Sequence, residues 1–177
     1  MEWLEFLVFI DESGAKTNMT RLYGRAKKGQ RCYDDAPHGH WNTTTMVSSI
    51  RLDGSTACMT LDGTQTTEAY REYVRQILVP QLRTGDLVIF DNLRAHHDTK
   101  ALEMIHAAGA MTLALPAYSP DLNPIEKMWP KVKAFLRKAK ARTLDALENA
   151  IKDALATISA SDALGWFASC GYRHSQD

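Results

Sequence analysis

Two short runs constrain this chain more than any other feature. Phe6-Leu-Val-Phe-Ile10 and Leu87-Val-Ile-Phe90 are apolar at every position, and each stops on an acid, Asp11 and Asp91. A strand with one wet face alternates between apolar and polar residues. A run that is apolar on both parities has to be covered on both faces. Two such strands side by side in a sheet, with helices above and below, bring their terminal carboxylates to one edge.

The rest of the chain supplies the neighbours. Residues 43–52 are β-branched and alternating, Asp53-Gly54 is a turn signal, and residues 56–61 read as the return strand. With the first run they make an antiparallel meander, and residues 19–25 are a further strand candidate. A basic turn over 24–29 and a loop over 32–42, with Pro37, His38, Gly39, His40 and Trp41, lie between. Residues 68–78 read as a helix capped by Thr66 or Thr67, with Ala69, Tyr73, Gln76, Ile77 and Pro80 on one face. Because the second apolar run follows that helix, it is expected parallel to the first. Residues 99–107 form a short helix stopped at Gly109, and 111–115 a fifth strand.

A proline-punctuated loop then leads to Asn123-Pro124, a cap and first-turn pair, and to a long helix. Its apolar positions Ile125, Met128, Trp129, Val132, Phe135 and Leu136 recur at helical spacing, with cations on the other face. Pro130 removes one backbone bond and is expected to bend it. Residues 143–158 and 161–167 read as two more helices. The expectation is an α/β domain over 1–177: three antiparallel strands, then two parallel, in one mixed five-stranded sheet flanked by helices, with a helical C-terminal part from about 143.

The chain has no run near the roughly 20 apolar residues that span a bilayer, and its first ten residues contain Glu2 and Glu5 rather than a basic leader. Its three scattered cysteines fit a reducing compartment, hence the cytoplasm. Net charge is zero, but unevenly spread. Residues 21–31 carry Arg21, Arg25, Lys27, Lys28 and Arg31 with no acid. Residues 127–142 carry Lys127, Lys131, Lys133, Arg137, Lys138, Lys140 and Arg142, again with none. Two such segments suit a polyanion bound at one face, or are simply two solvated faces.

Three acids stand out by position. Asp11 and Asp91 end apolar strands, and Glu126 opens the long helix that follows the fifth strand. Clustered carboxylates repel unless a cation offsets them, and all-oxygen ligand sets favour Mg2+ or Mn2+. Two such ions can activate an attacking oxygen and stabilise a leaving one at a phosphodiester. Each acid has a plainer reading. Strand ends are turns, where Asp is common, and Glu126 occupies the third helical position, where a glutamate can bond back to its cap. Glu12 is a further candidate ligand or a turn residue. Cys32, His38 and His40 form an incomplete zinc set. Trp129 reads as core, and Asn92, His96 and His97 as site support or ordinary loop residues.

At these residues the sequence resembles a known family. Phe9-Ile-Asp-Glu-Ser-Gly14, Ile89-Phe-Asp-Asn-Leu-Arg-Ala-His96 and Leu115-Pro-Ala-Tyr-Ser-Pro-Asp-Leu-Asn-Pro-Ile-Glu126 are similar to the three catalytic blocks of mariner-like and related bacterial insertion-sequence transposases of the Asp-Asp-Glu superfamily. The 34 residues at positions 92–125, between Asp91 and Glu126, match the spacing of that branch. The resemblance implies a ribonuclease-H-like fold and two divalent ions held by Asp11, Asp91 and Glu126. It implies nicking at terminal inverted repeats, then attack of the freed 3′-hydroxyl on target DNA, commonly at TA, without a covalent protein–DNA intermediate. Such proteins normally carry an N-terminal helix-turn-helix region. Here only ten residues precede Asp11, so an upstream reading frame is expected to supply that half, and a dimer is expected on DNA near the bacterial nucleoid. The alternatives are another nuclease of the same fold, or an inactive DNA-binding or assembly remnant of a decayed element.

Overall fold

The computed structural model describes residues 3–38 and 41–173. Five strands form one sheet: β1 (Leu7–Lys16), β2 (Thr43–Ile50), β3 (Thr56–Asp62), β4 (Leu87–Phe90) and β5 (Met111–Ala114). Their spatial order is β3-β2-β1-β4-β5. β1–β2 and β2–β3 are antiparallel, β1–β4 and β4–β5 parallel, as expected.

Helices cover both faces. Three lie on one side: α3 (Pro124–Ala139), α4 (Leu144–Ala156) and α5 (Ala160–Ser169). Their apolar residues Ile125, Trp129, Ile151 and Phe167 pack with Leu7 and Phe9 of β1. On the other side α1 (Thr67–Tyr73) and α2 (Thr99–Ala107) bring Tyr70, Tyr73 and Ile105 against Val8 and Ile10. The two apolar runs are therefore buried on both parities, β1 dividing its side chains between two cores. The two-residue period of a strand then dictates that Asp11 faces α3 and Glu12 faces α1 and α2.

Three expectations are corrected. β1 does not end at Ile10 but runs to Lys16, because β2 keeps pairing with it as far as Lys16 and Thr43 after β4 has stopped at Phe90. Asp11 therefore lies inside a strand, though beyond the end of β4. Residues 19–25 are not a strand. They begin an exposed connection, fastened where Arg142 donates to the carbonyls of Thr17 and Met19, both at 3.0 Å. The first helix passes into a π turn over Val74–Leu78, which rotates its inward face. Tyr70, Tyr73, Val74 and Leu78 are buried, while Gln76 and Pro80 are exposed. Of the two candidate caps, Thr66 is the one that caps that helix through its hydroxyl.

Pro130 does not break α3. It lies on the exposed side of the helix, as does Glu126, whose carbonyl loses its helical partner to the proline ring. At the opposite end of the molecule the β2–β3 turn packs onto the link between α4 and α5. Gly54 there has φ +84°, and a Cβ would meet the backbone of Ser159 at 2.8 Å, so only glycine fits.

Candidate active site

β1 and β4 run parallel with Phe9 opposite Ile89. Two residues further along each chain are Asp11 and Asp91, which brings them to the same level at the C-terminal edge of β4. The loop that follows β5 returns to this edge. Leu115 N donates to Phe90 O at 2.8 Å, and Asn92 Nδ2 donates to Leu115 O at 2.6 Å. Asn92 therefore fastens the loop that leads to Glu126 and makes no bond to Asp91. From there Pro124 starts α3 and places Glu126 in its first turn. Asp91, Asn92, Tyr118, Asn123 and Glu126 all line one open cleft of about 450 Å³.

Asp11 is 6% exposed, and its Oδ2 accepts from Trp129 Nε1 at 2.9 Å. Burial, and then the neighbouring charge of Glu126, push its carboxyl up to about 7. Asp91 is partly open. Its Oδ1 lies 2.7 Å from His96 Nδ1 and accepts from Leu93 N at 3.0 Å, and the histidine holds it below the usual carboxylate range. His96 has no exposed surface. It lies against the Tyr70 ring, with centroids 4.8 Å apart, and its Nε2 is 3.2 Å from Glu12 Oε2, at ion-pair distance. Burial would lower its pKa, but Asp91 and Glu12 outweigh that and raise it to about 9.

The structure thus brings Asp11 to Glu126, and Asp91 to the cleft that Glu126 also lines. Among the described residues no three His, Cys, Asp or Glu side chains already converge on one point. Glu12 belongs to the other face of the sheet, committed to His96, so it is not a partner of Asp11. Nor does Glu126 act as a capping-box residue: the Asn123 N–H donates to the Pro120 carbonyl, and the Asn123 side chain makes no cap bond. Asn123 is buried with its Oδ1 unpartnered beside the cleft.

Two residues adjoin the candidate site without standing out in the sequence. Trp129 is core, as expected, rather than a base-stacking surface, and it also bonds Asp11. Its place three residues after Glu126, on the helix side facing Asp11, was the available signal. Tyr118 is fully exposed at the cleft with φ +59°, a strained backbone for a non-glycine residue. Nothing in its local sequence marks it apart from the prolines around it.

The basic residues divide. Arg21, Arg25, Lys27, Lys28 and Arg31 are exposed, as are Lys127 and Lys138, with Lys133 and Arg137 half-exposed. Lys131 instead binds Asp162 and the Thr157 carbonyl, tying α3 to α5. Lys140 pairs with Asp34, which together with Arg142 brings the two basic segments against each other. Cys32 and His38 are exposed, and His40 lies outside the described residues.

A family model described as DDE superfamily endonuclease matches residues 6–148, most of the chain. The chain is a member of the DDE superfamily of endonucleases. No curated protein sequence matches it significantly. Among solved structures, the Mos1 strand transfer complex is 17% identical, with 95% of this chain and 52% of that chain covered and a TM-score of 0.70. The Mos1 transposase paired-end complex with left transposon end is 16% identical, with 94% and 52% covered and a TM-score of 0.72. The catalytic domain of Mos1 mariner transposase is 12% identical, with 94% and 78% covered and a TM-score of 0.61. The DDE endonuclease fold here is therefore the ribonuclease-H-like one, as the strand order predicts. The chain spans about half the length of the two Mos1 chains in DNA complexes.

Proposed function

We propose that residues 1–177 form a single transposase catalytic domain that cuts DNA at element ends and joins the freed ends to target DNA. The observation that carries this reading is that Asp11 and Asp91 stand level on adjacent parallel strands, with Glu126 lining the cleft beside Asp91, within a DDE endonuclease sequence. Mos1 structures with Mn and with Mg support Mg2+ or Mn2+ as the cofactor. The residues fit such ions. Asp11 and Glu126 repel each other with no cation between them, and the donors are all oxygen. Asp11, Asp91 and Glu126 would hold two ions, which would polarise the scissile phosphodiester and its attacking oxygen. His96 holds Asp91 ionised at the cleft, Trp129 holds Asp11, and Asn92 sets the loop before Glu126.

DNA would run along α3. Glu126, Pro130, Lys133 and Arg137 recur at four-, three- and four-residue steps on one stripe, so the cations lie about 10 and 16 Å beyond Glu126. Lys127 and Lys138 on α3, and Arg21, Arg25, Lys27, Lys28 and Arg31 on the adjoining connection, extend that surface. These are phosphate contacts, which position DNA without reading its sequence. An N-terminal helix-turn-helix half from an upstream frame would read the inverted repeat, with the pair dimeric on DNA in a bacterial cytoplasm, at the nucleoid.

The test is metal-dependent nicking and strand joining on a DNA end, with Asp91→Asn as control. Cleavage unaffected by that substitution removes the proposed mechanism. Absence of both reactions, even with the helix-turn-helix half restored, leaves an inactive DNA-binding or assembly remnant.

A further inference from the structure

Trp129 is buried in the core, where its indole N–H needs an acceptor. The acceptor it takes is Oδ2 of Asp11, 118 positions away in sequence, rather than a nearby backbone carbonyl. Both residues are almost wholly buried, Trp129 at 3% and Asp11 at 6% exposure. No other side chain among the described residues donates to Asp11. The Glu12 backbone N–H also bonds to this carboxylate, so with Oδ2 taken by the indole its rotation is restricted. The same helix carries Glu126 one turn earlier, so any shift of α3 moves both groups together.

We propose that Trp129 is a positioning residue. Its indole N–H fixes which oxygen of Asp11 is offered to a divalent ion, and locks the spacing between Asp11 and Glu126. This rests on the reading of Asp11 as a metal ligand. Asp91 is held in a parallel way, with its Oδ1 taken by the buried His96 ring and its Oδ2 left over. Partners that orient a ligand in this way are typically worth about 10- to 100-fold in metal affinity.

Trp129→Phe keeps a ring of similar packing and removes the N–H. Mn2+ binding to the chain, followed by electron paramagnetic resonance of the free ion, should weaken about tenfold or more. Asp11→Asn should weaken it at least as much. Unchanged Mn2+ affinity in a folded Trp129→Phe protein overturns the proposal. Unchanged affinity in Asp11→Asn instead overturns the metal-site reading beneath it.

Should Trp129→Phe fail to fold, the wild-type chain carries the test. The sequence has four tryptophans, so the Trp129 indole N–H signal in a 15N spectrum is assigned by its persistence in Trp3→Phe, Trp41→Phe and Trp166→Phe. That signal should shift with added Mg2+ and saturate together with metal binding. A signal that ignores Mg2+ overturns the proposal.

Discussion

Two aspartates flank β4, and they are treated in opposite ways. Asp86, just before the strand, has no exposed surface and is fully neutralised: Arg51 Nη1 lies 3.1 Å from its Oδ1, and Arg83 N donates to its Oδ2 at 2.7 Å. Arg51 is itself completed by the Gln81 carbonyl at 3.0 Å. Asp91, just after the strand, opens into a cleft beside Glu126 and is held by one histidine. Asp11, on the neighbouring strand, is buried against another acid with an indole for company. A structural acid is given a fixed cation by the protein. Asp91 has only a histidine that it shares with Glu12, and Asp11 beside Glu126 has no cation partner among the described residues, an arrangement that costs stability and that a metal ion would relieve.

The comparison breaks most visibly in activity. Asp91→Asn, Asp11→Asn or Glu126→Gln should each lower metal-dependent nicking by roughly a thousandfold or more, since metal-assisted charge stabilisation supplies several kcal/mol of the barrier reduction. Gel assays of nicked DNA check this, and Asp86→Asn, once corrected for folded fraction, should retain the wild-type rate.

Stability should show the reverse. Removing Asp86 as Asp86→Ala strands the buried Arg51 charge and should cost about 3–5 kcal/mol, visible in urea denaturation. Asp11→Asn should stabilise the metal-free protein at pH 8. The Asp11 carboxyl is raised to about 7 from an unfolded value near 3.9, so its favourable contribution is full below about 4 and lost as pH rises through about 7. Removing that cost should raise the thermal midpoint by on the order of 5 °C.

His96 sharpens the point along the same axis. Its pKa is raised to about 9 from near 6.5, so its stabilisation is complete below about 6.5 and disappears as pH rises through about 9. The metal-free midpoint should therefore fall steadily from pH 6.5 to 9.5, and His96→Asn, which cannot be charged, should flatten that slope in calorimetric scans.

The smallest effects separate the lysines. Lys133→Ala should reduce the slope of log affinity against log salt for DNA by about one unit, measured by fluorescence anisotropy. Lys131→Ala should leave that slope unchanged and cost at most about 1 kcal/mol of stability, because its ammonium is already held by Asp162.

Much of this was legible in the sequence. The double-faced apolar runs at 6–10 and 87–90 require a covered sheet whatever surrounds them, and the amphipathic stripe from Ile125 to Leu136 requires a helix packed on it. The bounds of α2 match the expected 99–107, with Gly109 as the local stop, and the structure adds Asp98 as its cap. What sequence could not settle were pairings. β1 outruns its apolar stretch only because β2 is there to pair with residues 11–16. Lys131 is indistinguishable from Lys133 until α5 brings up Asp162. Trp129 and Asp11, and His96 and Glu12, are brought together by the sheet and its helices, and no local pattern encodes such contacts. Residue type and position at the ends of apolar runs singled out Asp11 and Asp91 for the sheet edge, where the strand register puts them level. Only the tertiary structure decided which of their oxygens are tied and which are left free, because that depends on donors delivered from other elements.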